Sequence, residues 1–410
     1  MTNYESVRIG DLGKIVTGKT PKTEDPDNFG DDCMFIGPTD LHKHFFIANS
    51  GRMISTKGLG SIKSSVLNGV SILVGCIGWD MGNVGIVNGR CTTNQQINSI
   101  TNIHEKYNPL YIYYWLKTKK DFLYQQASVT RTPILNKTDF SNIRINLPKE
   151  KKYQDKVVCL LAAIDKKIEL NNRINAELEA MAKTLYDYWL VQFDFPDANG
   201  KPYKTSGGNM VYNPTLKREI PEGWGDASLV DIATFTNGIA CQKYYPSGDE
   251  PTYKVIKIRE FSSGFDDSSE SVRQTVPEKV VVNDGDILFS WSATLEVKLW
   301  TGGTGVLNQH IFKVTSDKFP KTFYYFEVLK YLDYFKMVAE LRKTTMGHIT
   351  KDHLIASRIP LPPKEIIQAM DVNLSPIISK IVSNYQQNVE LTKLRDWLLP
   401  MLMNGQVTVK

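Results

Sequence analysis

Asn94-Gln95-Gln96-Ile97 is answered 214 positions later by Asn308-Gln309-His310-Ile311. The same offset carries Arg144-Ile145-Asn146-Leu147-Pro148 onto Arg358-Ile359-Pro360-Leu361-Pro362. Working outward from these phrases, one copy runs from about Val7 to Trp189 and the other from about Ala227 to Leu402. Each closing Pro is followed by a helical pattern of about 35–40 residues. The expected class is α+β: two mixed α/β globules and two long helices, with an internal pseudo-two-fold repeat. Such a body suits a target that is itself made of two spaced half-sites.

The helices carry the clearest periodicity. In the first, Leu161, Ile164, Ile168, Ile174, Leu178, Ala182, Leu185 and Trp189 fall at steps of three and four once Asn171 and Asn175 are placed in the stripe. The second has Ile367, Met370, Leu374, Ile377, Ile381, Leu391, Leu394 and Leu398, with Asn384 and Asn388 inside the stripe. A buried Asn at a seam fixes register at a cost in stability. Four of them at matching depth predict one antiparallel coiled coil, a rod of roughly 50 Å at 1.5 Å per residue, the alternative being two separate helices that each dock on their own globule. That length compares with one or more turns of DNA, about 34 Å each. Pro376 predicts a kink or break near the start of the second helix.

In the globules, Val70-Val74 and Val84-Val87 read as strands, as do Val280-Val282 and Ile287-Phe289. Pro109 opens a predicted helix from Leu110 to about Tyr124, and a second is expected from Thr322 to about Leu341. The predicted organisation is a globule over 1–148, a long helix over 149–192, a connector over 193–225, a second globule over 226–362, a second long helix over 363–403 and a tail over 404–410. The connector is rich in Gly and Pro, and its aromatics are expected to pin it to the surface.

The chain has 410 residues, a net charge of +5 and a pI near 8.7. That mild basic excess is compatible with a polyanion partner without demanding one. Five cysteines without C-x-x-C spacing argue against a disulfide framework and a zinc ribbon. Cys159 reads as a small buried hydrophobe. There is no signal-peptide pattern and no run of about 18 apolar residues, so a cytoplasmic protein is expected.

Gly13-Lys14-Ile15-Val16-Thr17-Gly18-Lys19-Thr20 matches the P-loop pattern letter for letter. Its context does not: Pro21 and an acidic, Pro-containing stretch follow where a helix should begin. Gly238 stands in the second copy with no Lys-Ser/Thr after it. The better reading is a glycine turn leaving a strand, used in both copies. No adenine-methyltransferase motif and no nucleophile elbow occurs in the chain. The pair His42 and His44 reads as surface residues and Glu24-Asp25 and Asp266-Asp267 as solvated loops, so no metal site and no catalytic residue is assigned.

Readout of base edges needs planar bidentate side chains, and phosphate contact needs Lys, Arg, Ser, Thr or backbone amides. By residue type and loop position, the first globule offers Lys19, Thr20, Lys22, Trp79, Thr92, Thr93, Arg131, Thr132 and Lys137. The second offers Gln242, Lys243, Tyr244, Trp291, His310, Arg342, Lys343, Thr344, Thr345 and Lys351. Asn94-Gln95 and Asn308-Gln309 are assigned backbone-bonding roles, because two copies reading different bases would not keep identical readers.

The whole chain resembles the DNA-specificity (S) subunits of type I restriction–modification systems. The resemblance rests on the repeat and on Leu185-Tyr-Asp-Tyr-Trp-Leu-Val-Gln-Phe-Asp-Phe-Pro196. It rests also on Gly200-Lys-Pro-Tyr-Lys-Thr-Ser-Gly-Gly208, Arg218-Glu-Ile-Pro-Glu-Gly-Trp224 and Leu394-Arg-Asp-Trp-Leu-Leu-Pro400 with Gly405. Thr17-Gly-Lys-Thr-Pro21 also looks like the opening of a target-recognition domain of that family. The resemblance implies two target-recognition domains separated by the antiparallel coiled coil, each reading half of a bipartite, asymmetric site in double-stranded DNA. It implies no catalysis and no cofactor in this chain. Two modification subunits would methylate adenine N6 with S-adenosylmethionine, and restriction subunits using ATP and Mg could join. The alternatives are a coiled-coil adaptor with no DNA role, or a P-loop NTPase at Gly13–Thr20.

Overall fold

A computed structural model of the chain describes residues 3–41, 45–78, 81–127, 132–292, 294–341 and 348–409. The chain forms two compact units, Met1–Leu170 with Glu390–Lys410, and Asn171–Val389. We call them unit one and unit two.

In unit one, Val70–Gly75 is a central strand whose Ser71–Gly75 stretch is wholly buried, which is why its sequence is a near-continuous apolar run. It sits in a four-stranded antiparallel sheet ordered Lys14–Thr17, Ile97–Thr101, Val70–Gly75, Val84–Asn88. A second sheet pairs Phe29–Ile36 in parallel with Cys91–Thr93 and antiparallel with Met53–Ile54. Tyr4–Arg8 pairs with Arg144–Pro148 and closes the unit.

Unit two repeats this plan. Its antiparallel sheet runs Thr234–Asn237, Ile311–Thr315, Ile287–Ser290, Glu296–Leu299. Thr252–Ile256 pairs in parallel with Gly305–Leu307 and antiparallel with Ser271–Arg273, and Gly225–Ser228 pairs with Arg358–Leu361. The predicted strand at Val280 begins one residue later, because Val280 closes a short 3-10 turn.

The predicted helix from Leu110 is two helices, Pro109–Lys117 and Lys120–Gln125. At the end of the first, the Trp115 carbonyl accepts from both the backbone N–H and the hydroxyl of Thr118. Its counterpart in unit two is one helix, Lys321–Leu341.

The long helices are Lys151–Tyr186 and Lys364–Met403. Within unit two they pair antiparallel through the four seam asparagines, all buried. Asn171 donates to Asn388 at 2.9 Å, and Asn384 donates to Asn175 at 2.8 Å. Within unit one the same register sets Arg395 against Asp165 at 2.8 Å. The seam after Asn388 therefore passes through Arg395, Leu399 and Leu402, and Leu394, expected on the seam, is 45% exposed.

Pro376 does not break the second helix. Pro376 and Val372, one turn before it, are both exposed. The carbonyl that loses its partner thus lies on the wet side, where water replaces the bond. Cys159 is exposed, against expectation, because it stands on the outer face of the first helix.

The first long helix ends in a π turn, Asp187–Val191. The connector is more than a set of turns. It holds a hairpin, Met210–Asn213 with Arg218–Pro221, and its Phe193, Phe195 and Trp224 belong to the core of unit two. Among the described residues, no helix is long and apolar enough to cross a membrane.

Candidate nucleic-acid interface

In each unit five segments converge and are tied by matching backbone hydrogen bonds. The first is the glycine turn. Gly18 N–H donates to Ile97 at 3.0 Å, and Gly238 N–H donates to Ile311 at 3.2 Å. A Cβ on Gly18 would lie 2.0 Å from the Asn94 carbonyl oxygen, and one on Gly238 would lie 2.2 Å from that of Leu307. Close backbone approach, not phosphate binding, is therefore what requires glycine here. Short 3-10 turns and strands follow the Gly13–Thr20 match, and the α-helix that a P-loop needs at this point is not present among the described residues. The NTPase alternative fails on that ground.

The second segment is the Asn-Gln element. Asn94 Oδ1 accepts from Gln96 N–H at 3.0 Å, and Asn308 Oδ1 accepts from His310 N–H at 3.4 Å. The two asparagines also donate through their backbones to Ile36 and Ile256, at 3.1 Å in both units. They are backbone fasteners. Gln309 N–H also donates to the Ile239 carbonyl at 3.1 Å, while the side chains of Gln95 and Gln309 are exposed.

The third and fourth segments extend the relay. In unit one, Cys76 N–H donates to Gln96 at 2.8 Å and Leu135 N–H to Cys76 at 2.9 Å. In unit two, Trp291 N–H donates to His310 at 3.4 Å and Ile349 N–H to Trp291 at 3.1 Å. Lys137 and Lys351 follow two residues later, exposed, each as the first residue of a short helix. The fifth segment is a strand edge, where Phe35 N–H donates to the Arg52 carbonyl and Val255 N–H to the Glu270 carbonyl, at 3.0 and 2.8 Å.

The side chains set on this frame differ between the units. In unit one, Thr20 donates to Gln95 at 2.6 Å, and Lys19 donates to Ser64 at 3.2 Å. Thr20, Gln95, Asp40 and Arg52 share a cavity of about 470 Å³. The Arg52 guanidinium lies 5.2 Å and 5.3 Å from the Phe29 and Phe35 ring centres. Lys22 and Thr132 are exposed.

In unit two, the half-buried Trp291 holds His310 and His348 at ring distances of 5.9 and 5.4 Å and donates through Nε1 to Asn237. Gln242 and Lys243 are exposed, and Tyr244 lies under the Arg273 guanidinium. Glu270, beside Lys257 and the Tyr245 hydroxyl, has its carboxyl held below the usual range, chiefly by the Lys257 ammonium.

Two expected contact residues are corrected. Thr92 and Thr93 are fully buried, although Cys91–Thr93 is the edge strand of its sheet, beside Phe29–Ile36. Thr92 turns inward toward the Ser65 carbonyl, so neither hydroxyl can meet a phosphate. Trp79, Arg131, Arg342, Lys343, Thr344 and Thr345 lie outside the described residues, as do His42 and His44. Arg52, Glu270 and His348 also stand at this frame and are not among the expected residues. Nothing local in the sequence marks them, since each is placed by a contact with a residue on another segment, Phe35, Val255 and Trp291.

Among the described residues, no group of three or more His, Cys, Asp or Glu is placed to hold a metal. Burial pushes the thiols of Cys76 and Cys91 up to about 12, which leaves them unreactive.

The family model described as the type I restriction modification DNA specificity domain matches residues 1–180 and 221–396. The type I restriction enzyme MjaIX specificity subunit of Methanocaldococcus jannaschii is 24% identical, over 100% of this chain and 94% of that protein. The HindI specificity subunit of Haemophilus influenzae is 23% identical, over 65% and 70% of the two chains. In fold, the S subunit of a type I system from M. genitalium aligns over 98% of this chain and 96% of its own with a TM-score of 0.58, at 13% identity. Two copies of the family model, placed on the two halves of the internal repeat, cover nearly the whole chain, and the chain belongs to the family of type I restriction–modification DNA-specificity proteins.

Proposed function

We propose that this chain is the subunit that chooses the DNA sequence for a type I restriction–modification complex. Each unit reads one half of a bipartite, asymmetric site in double-stranded DNA. The paired helices set the number of unread base pairs between the halves and carry two modification subunits. The chain contributes no chemistry and binds no cofactor. S-adenosylmethionine belongs to the modification subunits, which methylate adenine N6, and ATP and Mg belong to restriction subunits where these join.

One observation carries this reading. The same five-segment frame is built twice with matching backbone bonds, and apart from Gln95 with Gln309 and Lys137 with Lys351 the exposed side chains set on it differ. A duplicated frame with changed readers is what a two-part asymmetric site requires. The test is to map N6-methyladenine in cells expressing this chain with its modification subunit. A bipartite motif is expected, one half of which changes when residues 1–148 are exchanged for those of a relative. A stable complex that adds no new methylation would refute the reading and return weight to a coiled-coil adaptor.

A further inference from the structure

The repeat offers a way to separate residues that hold DNA from residues that read it. Both half-sites present the same sugar–phosphate backbone, and only their bases differ. An exposed side chain kept at one position in both units suits what the half-sites share. One that differs there suits what they do not share.

At the strand edge next to the Asn-Gln element the two units take opposite charges. Phe35 N–H reaches the Arg52 carbonyl and Val255 N–H reaches that of Glu270, so the two residues occupy one seat in the repeated fold. The parallel ladders agree, with Phe35 opposite Thr92 and Val255 opposite Val306, each two residues before the Asn-Gln element. Arg52 is exposed over the cavity it shares with Thr20 and Gln95. Glu270 is 40% exposed in its side chain. A guanidinium fork matches the O6 and N7 acceptors of guanine, and a carboxylate matches the N4 amino donor of cytosine. Gln95 and Gln309, by contrast, are the same residue, exposed, at the same point of the frame.

We propose that the seat of Arg52 and Glu270 is a base-reading position of each unit. Arg52 selects a guanine in the half-site of unit one, and Glu270 selects a cytosine in that of unit two. Gln95 and Gln309 hold the phosphate backbone. The inference rests on the reading of each unit as the reader of one half-site.

The test uses the chain in complex with its modification subunit and reads the methylated motif together with DNA affinity. Arg52→Ala is expected to make one guanine of the first half-site degenerate, with discrimination falling about 5- to 150-fold, and to leave the second half-site intact. Arg52→Gln, whose amide matches adenine, is expected to shift that position toward adenine. Glu270→Gln is expected to relax one cytosine of the second half-site only. Gln95→Ala is expected to weaken binding with no change of motif.

Arg52 is exposed, so its variants test the seat even if Glu270→Gln, which loses its Lys257 partner, melts early. An unchanged first half-site in both Arg52 variants would overturn the proposal. So would a change of motif in Gln95→Ala. A native chain that directs no bipartite methylation would instead sink the functional reading beneath it.

Discussion

The seam between the long helices is built in opposite ways in the two units. The shift that takes Asn171 and Asn175 onto Asn384 and Asn388 takes Asp165 onto Ile378 and Ala182 onto Arg395. In unit one the pair is ionic. Arg395 lies 2.8 Å from Asp165, and the Tyr114 hydroxyl donates to the same carboxylate at 2.6 Å. Their side chains are 17% and 5% exposed. In unit two, Ala182 and Ile378 are apolar and line a cavity of about 800 Å³ with Tyr325, the counterpart of Tyr114 when Pro109 is set on Pro320. The repeat thus keeps the register asparagines and the backbone frame, and leaves free the means by which the seam is filled.

The comparison breaks most sharply at Arg395. Arg395→Ala would leave Asp165 buried with a tyrosine hydroxyl in place of a counter-charge. An unpaired buried charge of this kind costs about 3–5 kcal/mol. The loss should fall on unit one, so hydrogen exchange should quicken there and stay unchanged in the Asn171–Val389 core. Replacing both partners, Asp165→Leu with Arg395→Met, should recover most of that loss, since an apolar pair of similar volume avoids the desolvation of two ions. A single variant that costs under about 1 kcal/mol would mean that the pair is solvated and that the two seams differ less than their residues do.

A second contrast lies one helix away. Setting Pro109 on Pro320 also sets Leu116 on Glu327. Both are buried, and Glu327 has Lys330 at 3.7 Å as a partial partner. Burial pushes its carboxyl above the ordinary range, and Lys330 opposes this only in part. A raised carboxyl binds its proton more tightly in the folded state. Its contribution is therefore fully present below the ordinary carboxylate pKa and is lost as pH climbs through the raised value. Glu327→Leu should gain about 1–3 kcal/mol in unit two at neutral pH, and the gain should fade in acid. Urea unfolding followed across pH checks this, and a gain that does not vary with pH would refute it.

These contrasts show where sequence reasoning reaches and where it stops. Asn171, Asn175, Asn384 and Asn388 were legible because a polar residue inside an apolar stripe is a local signal. Arg395 was not. Beyond Asn388 the leucines at 391, 394 and 398 offer a plausible stripe, and an Arg is read by default as facing water. Only Asp165, on the other helix, says otherwise. Thr92 and Thr93 were misread for a related reason. A hydroxyl looks like a phosphate ligand until the packing that buries its strand is known. The glycine turns were legible as turns, and the asparagines as fasteners, because both recur. The seat of Arg52 and Glu270 was hidden, since it is defined by a hydrogen bond to another strand and by no shared letter.

The smallest expected effect is the most exact test of the comparison. Ala182→Arg with Ile378→Asp transplants the pair of unit one into the seam of unit two. The cavity gives the longer side chain room, and Tyr325, the counterpart of Tyr114, lines it beside residues 182 and 378. Desolvation and attraction should nearly cancel, which leaves unit two within about 1 kcal/mol of the native chain. Each single variant should cost more than the double, because each leaves one charge without its partner. The coupling energy from a double-mutant cycle should therefore favour the pair by at least about 1 kcal/mol. A coupling near zero would mean that residues 182 and 378 do not face each other as 395 and 165 do, and that the seam loses its repeat symmetry beyond the asparagines.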